Sequence, residues 1–499
     1  MTSEGQTYDL VVVGGGPAGV AGALTAALAG LRVALVDSGT RPGGQYFRHT
    51  AEPEAAPGLD RFLRQARALA ERADVLLRHQ VWHVSREPDG DLLVHCSTRG
   101  EEGERAQPLR ARRLLIATGA YDRSLPFPGW DLPGVLTAGG AQALLKGGGV
   151  VAGRRIVVSG TGPFLLPVAA GLAGAGARVL GVYEANGGLG LARHPLMALG
   201  KAGEAAGYAA ALARQRVPYR TRQAVVAAHG EREVAAVTVA RLDADWNVLT
   251  TRIVECDTVA VGYGFVPQIE LGTQLGCATR HDADGSPVLA VDAAQRTSVP
   301  GVWAAGEPVG VGGRLLAELE GRIAGRAVVA DTRTVTGAAT SAVTGAVTGA
   351  VTGAVTGAVT GAGVVPRVFV RRRQRWRAFG EALHHAYPVK DGWQGWLRDD
   401  TLVCRCEEVP LERVRRAQEL GATDARSVKL LARPGMGWCQ GRVCGYAVAC
   451  LAGEPPQPPR RPIAQPVTLG ALASLDVPSG SDSRDSPGGP DSPDDHPAQ

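Results

Sequence analysis

Three apolar runs, each tied to a glycine turn, set the rhythm of the first 330 residues. Tyr8-Asp-Leu-Val-Val-Val-Gly14 leads through a glycine loop and an alanine-rich stretch to Leu31-Arg-Val-Ala-Leu-Val-Asp37. Arg155-Ile-Val-Val-Ser-Gly160 repeats that arrangement and ends on Ala177-Arg-Val-Leu-Gly-Val-Tyr-Glu184. Pro300-Gly-Val-Trp-Ala-Ala-Gly-Glu307 is the third run, and a helix is expected after it from Leu315 to Val329. Strands that are apolar nearly throughout, alternating with helices, predict parallel sheets covered on both faces and so an α/β fold.

The pattern stops near Thr334. Thr-Gly-Ala-Val then repeats in register from Thr344 to Val359. A four-residue period matches neither a helical stripe nor strand alternation, and regular glycine opposes both. The repeat is also too short for a solenoid, so 332–365 is expected to be a flexible low-complexity linker. A helical connector is expected over 366–400, with its helix from Trp376 to Tyr387. A compact cysteine-bearing module follows at 401–453. The Pro-, Ser-, Gly- and Asp-rich tail, 454–499, is expected to be mostly disordered, above all beyond Leu475.

Composition narrows the function. At 499 residues the chain has room for several buried cores, and its net charge of +5 comes almost wholly from arginine, with only four lysines. The densest basic run, Arg371-Arg-Arg-Gln-Arg-Trp-Arg377, reads as a solvated helix face toward an acidic partner rather than a nucleic-acid site. Leu10 to Leu31 is uncharged and long enough to span a bilayer, but the glycines and proline within it favour a buried strand–loop–helix. Val335 to Pro366 is too weakly apolar for a membrane span. Cys96, Cys256, Cys277 and Cys450 have no close sequence partners and read as core residues. His384 and His385, on the expected connector helix, read as surface or interface residues.

The first glycine loop has its full physical context. Gly14 permits the turn, Gly16 lets backbone approach a pyrophosphate, and Gly19 allows close helix–strand packing. The helix N-terminus offers N–H donors to the anion, and Asp37, 18 residues beyond Gly19, is placed to accept from a ribose. The second unit keeps Gly160 and Gly162, but Leu165 takes the third glycine position and Pro167 follows it. Glu184 would suit a ribose hydroxyl and repel a 2′-phosphate, favouring NAD(H) over its phosphorylated form. A fold that no longer binds nicotinamide remains the alternative.

Cys404-Arg-Cys406 and Cys439-Gln-Gly-Arg-Val-Cys444, with 32 residues between the pairs, can converge on one metal centre. Four thiolates are the ligand set of a [2Fe–2S] cluster. Structural zinc also takes four, though its usual spacing is wider than Cys404-x-Cys406. The loop Gly435-Met-Gly-Trp-Cys439 carries backbone N–H groups able to approach cluster sulfurs, and Arg405 and Arg442 would favour the reduced state. A thiolate site points to a reducing, cytoplasmic compartment. No constellation reads as an amine-oxidising active site, and no catalytic residue is assigned. A thioredoxin-reductase mechanism is excluded because no Cys-x-x-Cys pair accompanies the flavin motifs.

Four motifs in order, namely Gly14-Gly-Gly-Pro-Ala-Gly19, Arg41-Pro-Gly-Gly-Gln-Tyr46, Leu115-Ile-Ala-Thr-Gly-Ala120 and Ala304-Ala-Gly-Glu307, resemble the flavoproteins with two dinucleotide-binding domains. The resemblance implies FAD in the first site. Gly43, Gly44 and Gln45 would lie along the flavin, Thr118 and Gly119 would close over it, and Gly306 with Glu307 would approach the ribityl–phosphate region. It further implies Rossmann-like FAD- and NAD(P)-type domains, the first over 1–150 and 285–331 and the second over 151–284. Ala117-Thr-Gly-Ala-Tyr-Asp-Arg123, Pro126-Phe-Pro-Gly-Trp130 and Val261-Gly-Tyr-Gly-Phe-Val-Pro267 are similar to the large electron-transfer subunits of opine oxidases, hydrogen cyanide synthases and hydroxyproline or proline dehydrogenase complexes. The cysteine module resembles bacterioferritin-associated ferredoxin, a small helical wrap around [2Fe–2S]. That resemblance implies a hetero-oligomer. An amino-acid-oxidase-type flavoprotein subunit would hold the substrate, a small ferredoxin subunit would join it, and the linker would tether the cluster. A self-sufficient NADH-dependent reductase is the rival reading.

Overall fold

The computed structural model describes residues 7–52, 56–100, 103–187, 202–345, 365–460, 462–473 and 475. Two five-stranded parallel sheets dominate it. The first runs Val302–Ala304, Leu114–Ile116, Leu10–Val13, Val33–Asp37, Asp74–Leu77 across the sheet. The second repeats the order as Val135–Thr137, Thr258–Gly262, Arg155–Gly160, Arg178–Glu184, Tyr219–Thr221. Each sheet carries a three-stranded antiparallel meander, His79–Arg86 to Gly103–Ala111 in the first unit and Gln223–His229 to Val248–Glu255 in the second. The central strands are buried along nearly their whole length, as their apolar runs require.

The two units meet at a two-stranded antiparallel hinge, Ala120–Asp122 against Phe265–Pro267. The chain therefore crosses between units at this hinge and not near 150 and 284. Val135–Thr137 is an edge strand of the second sheet, while Ile269, Leu271 and Leu289 pack in the first unit's core. Three-residue strands carry too little periodicity to mark such crossings in a sequence.

Four other expectations change. The helix after Gly313 does not end at Val329: it runs Arg314–Gly345, into the glycine-bearing segment read as linker. Its first half packs closely on the helix Pro17–Leu28, burying Ile323, Ala324, Ala327 and Val328. Helix propagation from that packed base overrides local glycine propensity. The rest of the repeat, 346–364, lies outside the described residues.

The basic run is a solvated face only in part: Arg371, Arg372 and Arg375 are exposed. It lies on the helix Arg367–Ala386, and Arg373 and Arg377 turn inward to the fully buried Glu320 at 2.9 and 2.7 Å.

The described part of the tail, up to Ala473, packs on the fold. Ala464 donates its backbone N–H to Trp82 O, Gln465 donates to the Tyr121 hydroxyl at 2.7 Å, and a short helix forms at Leu469–Ala473. Residues beyond 475 lie outside the described set. Among the described residues no helix is long and apolar enough to cross a membrane.

The cysteine module shares one core with the second unit. Val403, Leu411, Val414 and Val448 join Phe127, Trp130, Val237 and Trp246 in a single cluster, with Trp393 and Trp396 of the connector between them. The Trp246 and Trp396 rings stack at 5.9 Å, and Trp130 Nε1 donates to Leu402 O at 2.6 Å. The expectation of a module free to move on a tether gives way to one docked in place. Burying four indoles at this seam stabilises it by several kcal/mol, about 2 or more per fully buried large apolar side chain.

Candidate functional site

At the end of the first unit's central strand, four segments converge. Gly14 has φ +112°, and a Cβ there would collide with Ala117 O. Gly19 lies so close to Gly14 O that only hydrogen fits between helix and strand. Gly43 N donates to Gly15 O at 2.8 Å, and Gly44, with φ +58°, faces Gly16 across the loop. Gly306, φ +82°, faces Ala18 at the helix start. Thr118 Oγ1 donates to Gln268 O at 2.7 Å, beside Gly119 at φ +83°, while Gln45 is exposed at the loop rim.

Asp37 ends the next strand and receives Gly15 N at 2.5 Å and Gly39 N at 2.6 Å, its side chain still partly open to solvent. The helix follows at once: Gly16 is its extended N-cap and Pro17 its first residue. A cradle lined by backbone and backed by a helix N-terminus and an open carboxylate fits a pyrophosphate and ribose. The residues present therefore suit FAD.

Glu307 follows Gly306 directly at the cradle. It turns to the loop that opens the following helix, accepting from Gly312 N and Gly313 N at 3.2 Å each. Burial pushes its carboxyl up to about 7 although Arg377 lies near and a margin of the side chain still meets solvent.

The second unit buries the equivalent carboxylate. Glu184 is fully buried, and both its oxygens are taken. Thr161 Oγ1 donates at 2.8 Å, Gly162 N at 2.8 Å and Asn186 N at 2.9 Å. Burial pushes this carboxyl up to about 7, outweighing those three bonds. Asn186 Nδ2 bridges Thr161 Oγ1 to Pro388 O of the connector, and Trp246 Nε1 reaches its Oδ1. The helix starts at Leu165, after a turn whose N-cap Phe164 is in the α region, whereas in the first unit it starts directly after Gly16. Gly160, Gly162 and Glu184 are thus together, but the carboxylate expected to meet a ribose has internal partners instead. Nothing local in the sequence marks Asn186 and Pro388 as the cover.

The four cysteines come together in the docked module. Cys444 hydrogen-bonds with both Cys404 and Cys439, and Cys439 with Cys406. Those bonds lower the Cys404 thiol to about 6 and the Cys439 thiol to about 5, while Cys444, the shared donor, is raised. Backbone N–H groups of Gly435, Glu407 and Cys406 point at the Cys404 sulfur, and those of Val443 and Gly441 at Cys439. Gly435 and Gly441 take φ of +76° and +83°, and a Cβ on Gly437 would strike the Cys406 side chain. Among the described residues no group of three or more His, Cys, Asp or Glu gathers around one point to hold a metal ion. The sulfurs form a string, 406–439–444–404, rather than a knot.

The expected cations are partly engaged elsewhere. Arg405 stacks over Trp130 at 5.1 Å. Arg442 lies 3.0 Å from the Glu270 carboxylate, over the Tyr121 ring of the hinge, and donates to Ile463 O. The other four cysteines are free thiols, Cys96, Cys256 and Cys277 buried and Cys450 half-buried. His384 sits 3.6 Å from Asp284, as a contact between connector and fold.

Residues 8–330 match the pyridine nucleotide-disulphide oxidoreductase family. Hydrogen cyanide synthase subunit HcnB of Pseudomonas aeruginosa is 33% identical over 461 residues, covering 87% of this chain and 91% of that protein. An opine oxidase subunit of Rhizobium meliloti is 30% identical, covering 90% of this chain and 82% of its own length. Among solved structures, L-proline dehydrogenase from P. horikoshii shares the fold, with a TM-score of 0.65 at 20% identity over 94% of this chain and 79% of that one.

Proposed function

The chain belongs to the pyridine nucleotide-disulphide oxidoreductase family, and from that premise we propose that it is the FAD- and [2Fe–2S]-bearing electron-transfer subunit of a heteromeric amine or imino-acid dehydrogenase. Its donor would be of the hydroxyproline or proline, opine, sarcosine or glycine class, since relatives named hydrogen cyanide synthase, opine oxidase and sarcosine oxidase subunits share its sequence. The observation that carries the reading is the docking of the cysteine module, through Cys404, Cys444 and their neighbours, on the core of the second unit in a chain whose first unit forms the flavin-type cradle.

In this reading Gly14, Gly16, Gly19, Asp37, Gly43, Gly44, Gln45, Thr118, Gly119 and Gly306 hold FAD, which when bound supplies a two-electron acceptor. Asp37 accepts from the ribose, and the helix beginning at Pro17 faces the pyrophosphate. Cys404, Cys406, Cys439 and Cys444 hold a [2Fe–2S] cluster, which supplies one-electron chemistry. A string of sulfurs suits a two-iron cluster better than zinc, which needs four thiolates around one point. The N–H groups aimed at Cys404 and Cys439 stabilise negative charge there.

No residue of this chain is assigned to amine oxidation; an amino-acid-oxidase-type flavoprotein subunit would hold the substrate. A small ferredoxin subunit would be a further partner, in a cytoplasmic hetero-oligomer. The proposed domain for the cluster is 401–453, on the connector 366–400.

Affinity purification from the native host tests this. The account expects co-purifying subunits, flavin, two irons per chain and flavin reduction by a cyclic or N-alkyl amino acid. A complex whose flavin is reduced by none of a broad panel of such donors, or one holding zinc without iron, would sink it.

A further inference from the structure

The module's outer surface is arranged for a visiting protein. Between 401 and 453, eight arginines and lysines stand against five acidic residues. On the helix Ala425–Ala432 the buried positions are Val428 and Ala432, while Arg426, Lys429 and Leu430, followed by Arg433, fall at i, i+3, i+4 and i+7, one continuous stripe. The stripe leads to the metal-binding loop: Arg433 pairs with Glu407 at 3.4 Å, next to the exposed Cys406. Gly437 presses on Cys406, and the next residue, Trp438, projects into solvent with 71% of its surface exposed, directly before Cys439. Leu430 and Leu431 are 63% and 54% exposed. An apolar centre with an indole, flanked by cations and set over the two outermost ligands, has no partner within the described chain.

We propose that this face docks an acidic one-electron carrier protein. The inference rests on the cluster reading above and names the acceptor that reading leaves open. Cations along the stripe steer an acidic partner and make association fast and salt-sensitive. Trp438 supplies the kind of aromatic anchor that dominates small interfaces, and transient redox encounters need little area beyond it. Each docked carrier takes up one electron and no atoms, so two visits discharge one two-electron oxidation, with the protons released to solvent.

The test uses the purified complex and an acidic [2Fe–2S] ferredoxin as probe. Its binding is measured by calorimetric titration and its reduction by amine-driven turnover, across ionic strength. Ferricyanide serves as an acceptor needing no docking face. Arg426→Glu with Lys429→Glu should weaken ferredoxin binding about tenfold or more at low salt and flatten the salt dependence. Iron content and ferricyanide reduction should stay as in the wild type. Trp438→Ala should weaken binding while leaving the salt slope intact.

Unchanged ferredoxin binding by the charge-reversed protein overturns the proposal. So does binding to anionic phosphatidylglycerol vesicles that exceeds binding to ferredoxin. An iron-free complex instead overturns the cluster reading on which the face depends.

Discussion

The two nucleotide-type units have the same sheet order and the same meander, yet they treat their acidic strand-end residue in opposite ways. Asp37 stays partly open beside a helix that starts immediately after Gly16. Glu184 is sealed, its oxygens spent on Thr161, Gly162 and Asn186, with Pro388 of the connector as cover. A shared fold therefore does not imply a shared ligand. Both carboxylates accept backbone N–H groups; what differs is that Asp37 keeps a face to solvent, while Glu184 is fully buried beneath Asn186, which Pro388 O of the connector holds.

The largest effect should come from the tight helix–strand contact in the open unit. Gly19→Ala drives a methyl into Gly14 O and should abolish flavin retention on purification. Leu165→Ala, at the matching position of the closed unit, should cost about 2–4 kcal/mol in denaturant unfolding yet leave flavin content unchanged.

Next comes the seam. Trp396→Ala removes the stack on Trp246 and should lower stability by about 3 kcal/mol, with hydrogen-exchange protection lost in the second unit and the cysteine module but kept in the first sheet. Equal loss in both units would erase the distinction drawn between them.

Asp37→Ala should weaken FAD binding by roughly tenfold or more, the worth of a charge-assisted hydrogen bond. It should leave the thiol titre and iron content alone.

A smaller effect is expected from pH. Burial raises Glu184 and Glu307 from 4.5 to about 7, so the folded state binds more protons than the unfolded chain between those values. Stability should thus be greatest below the unfolded value and fall as pH rises from about 4.5 through about 7, by on the order of a few kcal/mol in urea titrations. Glu184→Gln should flatten that slope.

The smallest effect separates docking from tethering. Inserting two further Thr-Gly-Ala-Val units after Val359 should change stability by less than about 0.5 kcal/mol and leave electron delivery to ferricyanide untouched, because the module is held by Trp130 and Trp396 and not by the repeat.

How far the sequence could be read follows from the range of the forces involved. The glycine loop and Asp37 are local devices, set by turn sterics within a few residues, and the strand, turn and helix they predict are where they were expected; the cysteine spacings brought the four sulfurs near one another without fixing how they are arranged. Glu184 was equally legible as an acidic strand end, but its satisfaction depends on Asn186 held by Pro388, 202 residues away. The inward turn of Arg373 and Arg377 depends on Glu320, some fifty residues earlier, and no periodicity announces it. The order of the tail depends on an edge of the first unit's meander, where Trp82 and Gln80 meet it. Composition describes such a segment as solvated until a partner surface is supplied.

Anaerobic mixing of the purified complex with NADH, and separately with cyclic and N-alkyl amino acids, tests the central contrast most directly by following flavin absorbance. The expected result is bleaching by an amine at catalytic speed and none by NADH, because Glu184, the second unit's strand-end carboxylate, is buried on internal partners. Catalytic bleaching by NADH alone would contradict it.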